Sequence, residues 1–277
     1  MKNIQSYADL HLHSIYSDGE LSPKKLINNA NKNHVKVISI TDHNMLFNSD
    51  ERMNLFNFCE KYGIELIDGI EISTMHNGIS VHILGYSKKF NPTENFNYEI
   101  NYMHSHYIAR GKKILKKMAD MGYPIELNEV LQKGATYAHR NIIAQTAKKK
   151  FGGEYSEWLK ITVPEDDFFI SAVKAIKYLH ESNAVAILAH PGSLIRRNDY
   201  KTTLKIVEDL FRAGLDGVEA FSPDNLSTEA KNLVDIIRKK YDCIVTGGTD
   251  YHNESGRNKI GQYGLSEKEY INFIARL

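Results

Sequence analysis

Apolar, β-branched runs alternate with segments of helical spacing along most of the chain. Val35–His43 has the continuous apolar pattern of a strand buried on both faces, and Asn48–Tyr62 follows it with the spacing of a helix. Six further strands are predicted at Ser6–His13, Ile64–Ser73, Ile79–Ser87, Val185–His190, Gly217–Ser222 and Cys243–His252. Further helices are predicted at Ser22–His34, Ser171–Ser182, Tyr200–Ala213, Ser227–Lys240 and after Ser266.

Repeated strand–helix–strand units place the chain in the α/β class, with a parallel sheet and helices outside it. At least six such strands over this length favour a closed barrel. A doubly wound open sheet is the alternative, but no glycine-rich phosphate-binding fingerprint follows the first strand. Asn77–Gly78 is a strong signal for a short turn between two of the strands.

Residues 95–167 interrupt this alternation because they contain no convincing apolar strand. Asn97–Gly122 has helical spacing, and so do Leu127–Lys133 and Arg140–Phe151. We therefore predict a barrel domain made of residues 1–94 and 168–277. Residues 95–167 are predicted to form a helical insertion that covers the mouth of the barrel.

Composition narrows the class of protein only moderately. The 277 residues carry a formal net charge of +1, so no overall field points to a nucleic-acid or membrane partner. The two cysteines, Cys59 and Cys243, provide neither a disulfide framework nor a Cys-x-x-Cys pair. Because no apolar run is long enough to span a bilayer, a cytoplasmic location is the expectation.

Histidines and carboxylates lie at or near the ends of the predicted strands. His11 and His13 are two residues apart, so they share one face of a strand, and Asp250 and His252 repeat that spacing. A single histidine at a strand end is usually structural, but in a parallel barrel all such ends meet at one mouth. Nitrogen and oxygen donors without cysteine favour Mn, Fe or Zn. The nine candidates are His11, His13, Asp18, His43, Glu71, His82, His190, Asp250 and His252.

The segments that carry these residues are "DLHLHSIYSDG", "ITDHN", "GIEIS", "VHILGY", "AHPG" and "TGGTDYH". In this order they resemble the motifs of the polymerase and histidinol phosphatase (PHP) superfamily. The resemblance implies a distorted (β/α)7 barrel that holds up to three metal ions. It also implies a division of the candidates among three sites: His11, His13, Glu71 and Asp250; Glu71, His82 and His190; and Asp18, His43 and His252. Glu71, Asp250 and His252 are the members of this set that we predict to be catalytic.

The insertion is similar to that of the nucleotide-phosphatase and exoribonuclease branch of the superfamily. That branch carries Arg-Pro-His-Ile-Ala where this chain has "RNIIA", so Arg140 is retained and the histidine is not. His139, one residue earlier, is a candidate replacement. An arginine expected soon after "HPG" is displaced, since Ser193 occupies its place and Arg196 and Arg197 follow. The predicted substrate-binding residues are therefore Arg140, His139, Arg196 and Arg197.

The leading hypothesis is a metal-dependent phosphoesterase that uses two or three divalent ions. Such ions lower the pKa of a bridging water and give hydroxide at neutral pH. By the resemblance, the substrate is a nucleoside 3',5'-bisphosphate or a short 5'-phosphorylated oligonucleotide, and neither a membrane nor a protein partner is inferred. A histidinol-phosphate phosphatase is an alternative, although the expected Phe-Cys-x-His continuation is missing. A catalytically inactive metal-binding module is another, although all nine candidate ligands are present.

Overall fold

A computed structural model describes residues 6–131, 138–162, 169–254 and 258–277. Its sheet contains eight strands. They are β1 (Ala8–Leu12), β2 (Val37–Ile40), β3 (Glu65–His76), β4 (Ile79–Ser87), β5 (Ile170–Ser171), β6 (Val185–Leu188), β7 (Gly217–Phe221) and β8 (Ile244–Gly247). Seven of them follow one path in the order β1-β2-β3-β4-β6-β7-β8, and the short β5 pairs with β3 beside this path.

The two ends of this path meet immediately after β8. Leu12 and Tyr251 form a parallel bridge, and the backbone N–H of His13 donates to the carbonyl of Tyr251 at 2.9 Å. The seven strands therefore curl into a distorted barrel, and the prediction of an α/β barrel is confirmed. It follows that residues at the carboxyl ends of β1 and β8 become neighbours although about 240 positions separate them.

The expectation of an all-parallel sheet is wrong at β4. This strand runs antiparallel to both β3 and β6. It forms a hairpin with β3 through Asn77 and Gly78, which have φ angles of 50° and 79°. Positive φ at both turn residues is what a two-residue hairpin turn requires. As a result, Glu71 and His82 lie within their long strands and not at strand ends, with His82 facing Ser73 across the ladder.

Eleven α-helices surround the sheet in the described part of the chain. They are α1 (Pro23–Lys32), α2 (Ser49–Glu60), α3 (Glu94–Asp120), α4 (Leu127–Val130), α5 (Arg140–Phe151), α6 (Tyr155–Ile161), α7 (Ala172–Glu181), α8 (Pro191–Arg197), α9 (Tyr200–Arg212), α10 (Thr228–Lys240) and α11 (Glu267–Ile274). The sequence pattern did not predict α8, although Pro191 suits the first position of a helix. The Lys133 end of one predicted helix lies outside the described residues.

The core of the barrel is formed by inward-facing side chains of the strands. Leu10, Leu84 and Ile187 belong to this cluster, and α11 contributes Tyr270 and Phe273 to it. Leu12, by contrast, packs with apolar residues of α1 and α2 outside the sheet. Strict alternation would have placed Leu10 and Leu12 on the same side. The register of β1 against β2 shifts between Asp9 and Leu12, and this irregularity lets Leu10 and His11 both face inward.

Helices α3 to α6 lie between β4 and β5 in the chain. Four of their apolar residues, Leu115, Met118, Ile143 and Trp158, belong to a hydrophobic cluster separate from those of the barrel. The division into a barrel domain and an insertion of residues 95–167 stays a prediction. Residues 132–137 and 163–168 at its edges lie outside the described residues. No helix of the described residues is long and apolar enough to cross a membrane.

Tyr86 provides a test of this packing. Its ring is fully buried in the barrel, and its hydroxyl donates to the carbonyl of Leu10 at 2.7 Å. Tyr86→Phe leaves that carbonyl without its partner and should lower the free energy of unfolding by about 1–3 kcal/mol. Tyr98→Phe, at an exposed tyrosine of α3, is the control and should change it by less than ~0.5 kcal/mol. Urea unfolding followed by circular dichroism measures both, and equal stabilities would contradict this packing.

Candidate active site

A buried carboxylate on β3, that of Glu71, lies at the centre of the histidine cluster. Its Oε1 atom is 2.9 Å from His82 Nδ1 and 3.0 Å from His190 Nε2. Its Oε2 atom lies 3.2–3.3 Å from three further ring nitrogens, those of His11, His13 and His43. Five histidines from four separate segments therefore surround one carboxylate, and β3 brings it to them.

Asp18 and Asp250 extend the cluster on the side of β1 and β8. Asp18 Oδ1 lies 3.3 Å from His252 Nε2 and 3.8 Å from His43 Nε2. Asp250 Oδ1 lies 3.4 Å from His11 Nε2 and 3.2 Å from His13 Nε2. All nine residues singled out in the sequence thus come together at one end of the barrel.

Three groups of these donors could each hold a cation, since the ligand atoms in a group lie within 4.8 Å of one another. The groups are His11, His13, Glu71 and Asp250; His43, Glu71 and His82; and His13, Asp18, His43 and His252. The first coincides with the first site that the resemblance implies. The other two differ from the implied sites because His43 belongs to both and His13 joins the last one. His190, which contacts Glu71 and lies beside the rings of His11 and His82, belongs to none of the three groups.

The donor atoms satisfy the chemical requirements of a metal site. Asp18 Oδ1, His43 Nδ1 and Glu71 Oε2 are buried, and none of them has a hydrogen bond of good geometry to another described residue. Buried polar atoms are normally hydrogen-bonded, and buried charges are normally paired or bound to metals. A set of imidazole and carboxylate donors without thiolates suits Mn, Fe or Zn. The residues therefore fit divalent ions of this kind.

Electrostatics keep the carboxylates ionised. Burial alone would raise the pKa of Glu71, but the charges of His43 and His11 hold it well below its ordinary value. Burial would also raise the pKa of Asp18. The charge of His252 nevertheless holds the pKa of Asp18 well below its usual range. In the reverse sense, burial would lower the pKa of His252, and the charges of Asp18 and Asp250 raise it to about 10. These pKa shifts arise because opposite charges lie close together. Metal cations and protons would compete for the same donor atoms.

Glu219 on β7 is a site residue that the sequence interpretation missed. Its Oε1 atom is 3.0 Å from His11 Nδ1, and its Oε2 atom accepts the backbone N–H of His190 at 2.8 Å. The side chain is fully buried. Glu219 fixes the ring of His11 through its Nδ1 atom. It also links β7 to His190, the residue that ends the predicted β6 segment. The available signal was a lone acid inside the apolar strand "GVEAF".

Asp9 and Asp42 support the site mainly through hydrogen bonds to neighbouring residues. Asp42 accepts hydrogen bonds from the hydroxyls of Ser14 and Ser17, each at 2.6 Å. Ser17 Oγ is in turn 3.4 Å from His13 Nδ1. Asp9 accepts from the backbone N–H and the hydroxyl of Thr249, at 2.9 and 2.7 Å. The two acids therefore fix the backbone next to His13 and Asp250.

Unusual backbone geometry is concentrated at the site. Asn44, His190 and Asp250 are non-glycine residues with positive φ angles of 49°, 28° and 50°. Such conformations are costly and persist where the surrounding structure enforces them. Close approach also requires Gly248, since a Cβ atom there would lie 2.4 Å from the Cβ of His11. This contact explains a glycine in the "TGGTDYH" segment.

A cavity of about 400 Å³ opens onto Glu71, His82 and His190, and we call it the arginine cavity. Arg140, His139 and Arg197 line it.

A guanidinium nitrogen of Arg140 donates to the carbonyl of Leu159 on α6 at 2.5 Å, and Arg197 Nε donates to the carbonyl of Ser193 at 3.1 Å. His139 Nδ1 is 3.4 Å from Asp18 Oδ2, and burial lowers the pKa of His139 to about 4.

Arg196, the remaining predicted substrate residue, is not brought to this cavity. Its guanidinium pairs with Asp224 at 2.8 Å on the protein surface. Helix α8 is the reason, because consecutive helical residues point in different directions and only Arg197 turns toward the site. Two of the other histidines, His76 and His180, pair with acids away from the cluster, as expected for structural residues.

Comparison with known proteins agrees with this arrangement. The family model described as the PHP domain matches residues 9–219. A phosphoribosyl 1,2-cyclic phosphate 1,2-diphosphodiesterase of Eggerthella lenta is 24% identical over 90% of this chain and 95% of its own. A 5'-3' exoribonuclease of Haemophilus influenzae is 26% identical over 92% and 93%. A 3',5'-nucleoside bisphosphate phosphatase of Chromobacterium violaceum is 24% identical over 90% and 89%.

The fold also has a close counterpart among solved structures. A protein of Bifidobacterium adolescentis superimposes with a TM-score of 0.83 and 23% sequence identity. The match covers 99% of this chain and 96% of the other. At this identity the likeness concerns the fold, and it supports the distorted barrel described above.

Glu219→Ala should weaken metal binding without removing a ligand. His11 then loses the contact that fixes its ring, and loss of such outer contacts costs roughly 10–100-fold in metal affinity. Competition with a chromogenic chelator measures the change, and Glu229→Ala, at an exposed acid of α10, is the control. Glu219→Gln should lose less, because its amide oxygen can still accept from His11. Wild-type affinity in a folded Glu219→Ala variant would contradict this role.

Proposed function

Because the chain belongs to the PHP domain family and is a metal-dependent phosphoesterase, we propose that it hydrolyses phosphomonoesters of small nucleotides. The proposed substrates are nucleoside 3',5'-bisphosphates or short 5'-phosphorylated oligonucleotides. The observation that carries the proposal is the arginine cavity, in which Arg140 and Arg197 lie together with Glu71 and its histidines. The activities named for the relatives from Haemophilus influenzae and Chromobacterium violaceum support it.

We propose that the nine clustered residues hold two or three divalent ions, with Mn, Fe or Zn as the candidates. Glu71 is the shared ligand in this proposal, because both of its oxygens face histidines from different strands. When bound, such ions supply a nucleophilic water of lowered pKa and neutralise charge on the phosphoryl group. In this proposal Asp250 and His252 complete the catalytic set from the β8 side.

The protein's own side chains then select and orient the substrate. Each guanidinium can donate two parallel hydrogen bonds to phosphate oxygens, which a lysine cannot do in fixed geometry. His139 is neutral at pH 7, since burial lowers its pKa to about 4, so it can contact a substrate oxygen without adding charge. Tyr107 and Phe169 supply apolar surface to the same cavity and limit the entry of water.

Removing the metal should abolish activity. Protein purified without chelator should contain more than one equivalent of Mn, Fe or Zn by elemental analysis, and a metal-free preparation should be inactive until an ion is restored. Glu71→Ala should lose more activity and metal than His252→Ala, because Glu71 is shared between two donor groups and His252 belongs to one. Full activity of the metal-free protein would rule out the proposed mechanism.

Arg140→Ala should impair hydrolysis of a nucleoside 3',5'-bisphosphate much more than that of an aryl phosphate. Loss of one charge-assisted contact costs about 1.5–3 kcal/mol, or roughly ten- to a hundredfold in kcat/KM. Arg196→Ala is the matched control, since Arg196 pairs with Asp224 outside the cavity, and it should leave both rates unchanged.

Steady-state kinetics of the Mn-loaded protein on both substrates provide the measurement, with a 5'-phosphorylated oligonucleotide and a cyclic phosphodiester as further substrates. A wild-type enzyme that prefers the aryl phosphate or the cyclic diester would refute the proposed substrate class. Equal losses on both monoesters for Arg140→Ala would instead make Arg140 a structural residue of α5.

A further inference from the structure

A second cavity, of about 290 Å³, adjoins the arginine cavity and shares the carboxylate of Asp18 with it. We call it the amide cavity because Asn141, Gln145, Asn253 and Asn258 line it. Four residues border both this cavity and the arginine cavity: Asp18, Asn141, Asp250 and His252. A ligand whose phosphate lies against the metal ligands therefore has space on two sides, and the two sides differ in chemistry.

The charge of the lining separates the two cavities. Arg140 and Arg197 line the arginine cavity, whereas none of the described residues that line the amide cavity is a lysine or an arginine. The charged groups among its described lining residues are the carboxylates of Asp18 and Asp250 and the imidazole of His252. A second phosphate would find no guanidinium or ammonium group among these described residues, whereas the arginine cavity offers two guanidinium groups. A neutral group that can both donate and accept hydrogen bonds fits this lining better.

Two of the lining side chains are available to such a group. No hydrogen bond joins the amide of Gln145 or the hydroxyl of Tyr155 to another described residue. Helix α5 carries Asn141 and Gln145 four residues apart, so the two amides lie on the same face, toward the cavity. Tyr155, the first residue of α6, adds an aromatic ring to the wall.

We propose that the amide cavity binds the nucleobase of the substrate and that Gln145 and Tyr155 determine the preference for nucleotides. This inference rests on the proposed function and adds the residues that recognise the base. Carboxamides pair with the donor and acceptor groups on base edges, and aromatic side chains stack on base faces. The cavity volume is close to the lower end of the roughly 300–1,000 Å³ usual for small-ligand sites, as expected for one base.

The test compares a nucleotide with its abasic analogue. Gln145→Ala and Tyr155→Ala should each lower kcat/KM for adenosine 3',5'-bisphosphate about tenfold, as expected for the loss of one hydrogen bond to a base or of one stacking contact. Hydrolysis of 1-deoxyribose 3,5-bisphosphate, which lacks the base, should change less than twofold. Gln262→Ala, at an exposed glutamine, is the matched control and should affect neither substrate.

Inhibition by adenosine tests binding of the base with a ligand that carries no phosphate. Adenosine should compete with the bisphosphate in the wild-type enzyme, and its inhibition constant should rise about tenfold in both variants. Equal losses on the nucleotide and the abasic analogue, or unchanged inhibition by adenosine, would overturn the inference while the proposed function stands. A wild-type enzyme that does not prefer the nucleotide over the abasic analogue would also overturn it. Failure to hydrolyse both bisphosphates and a 5'-phosphorylated oligonucleotide would refute the proposed function itself.

Discussion

The site depends on one buried carboxylate, that of Glu71, held in the middle of a long strand. An ionised carboxylate in a protein interior is costly unless charges or hydrogen bonds compensate it. Here the compensation comes from histidines on β1, β4 and the segments after β2 and β6, which approach both oxygens within 3.3 Å. Because these histidines come from four different segments, the barrel must close before the charge of Glu71 is balanced. The fold and the chemistry are therefore coupled through this residue.

The surrounding structure fixes these donors more rigidly than the strands alone would. Glu219 holds the ring of His11, while Asp9 and Asp42 hold the backbone beside Asp250 and His13. Positive φ angles at His190 and Asp250 aim two more side chains into the mouth. Such support is what keeps several metal ligands in a defined geometry when they would otherwise repel or rotate apart.

The mouth of the barrel has an electrostatic asymmetry that bears on the choice of substrate. On one side the helices supply two arginines, and on the other they supply amides and a tyrosine hydroxyl beside two carboxylates. The proposed phosphate and nucleobase positions correspond to this division. Both walls draw on α5, which provides Arg140 to one cavity and Gln145 to the other. A single helix could thus set the distance between the two parts of a nucleotide.

Local sequence patterns were sufficient to predict the α/β class, most strand and helix positions and the nine residues that cluster at the mouth. Apolar periodicity and local motifs carry that information, because strands, turns and caps depend on neighbouring residues. The antiparallel pairing of β4 with β6, the inward orientation of Leu10 and the role of Glu219 became evident from the folded structure. Each of these depends on contacts between segments far apart in the chain: strand pairing, a register shift and a hydrogen bond from β7 to β1. Likewise, Arg196 and Arg197 are adjacent in sequence, and only the direction of α8 decides that Arg197 faces the site and Arg196 faces solvent.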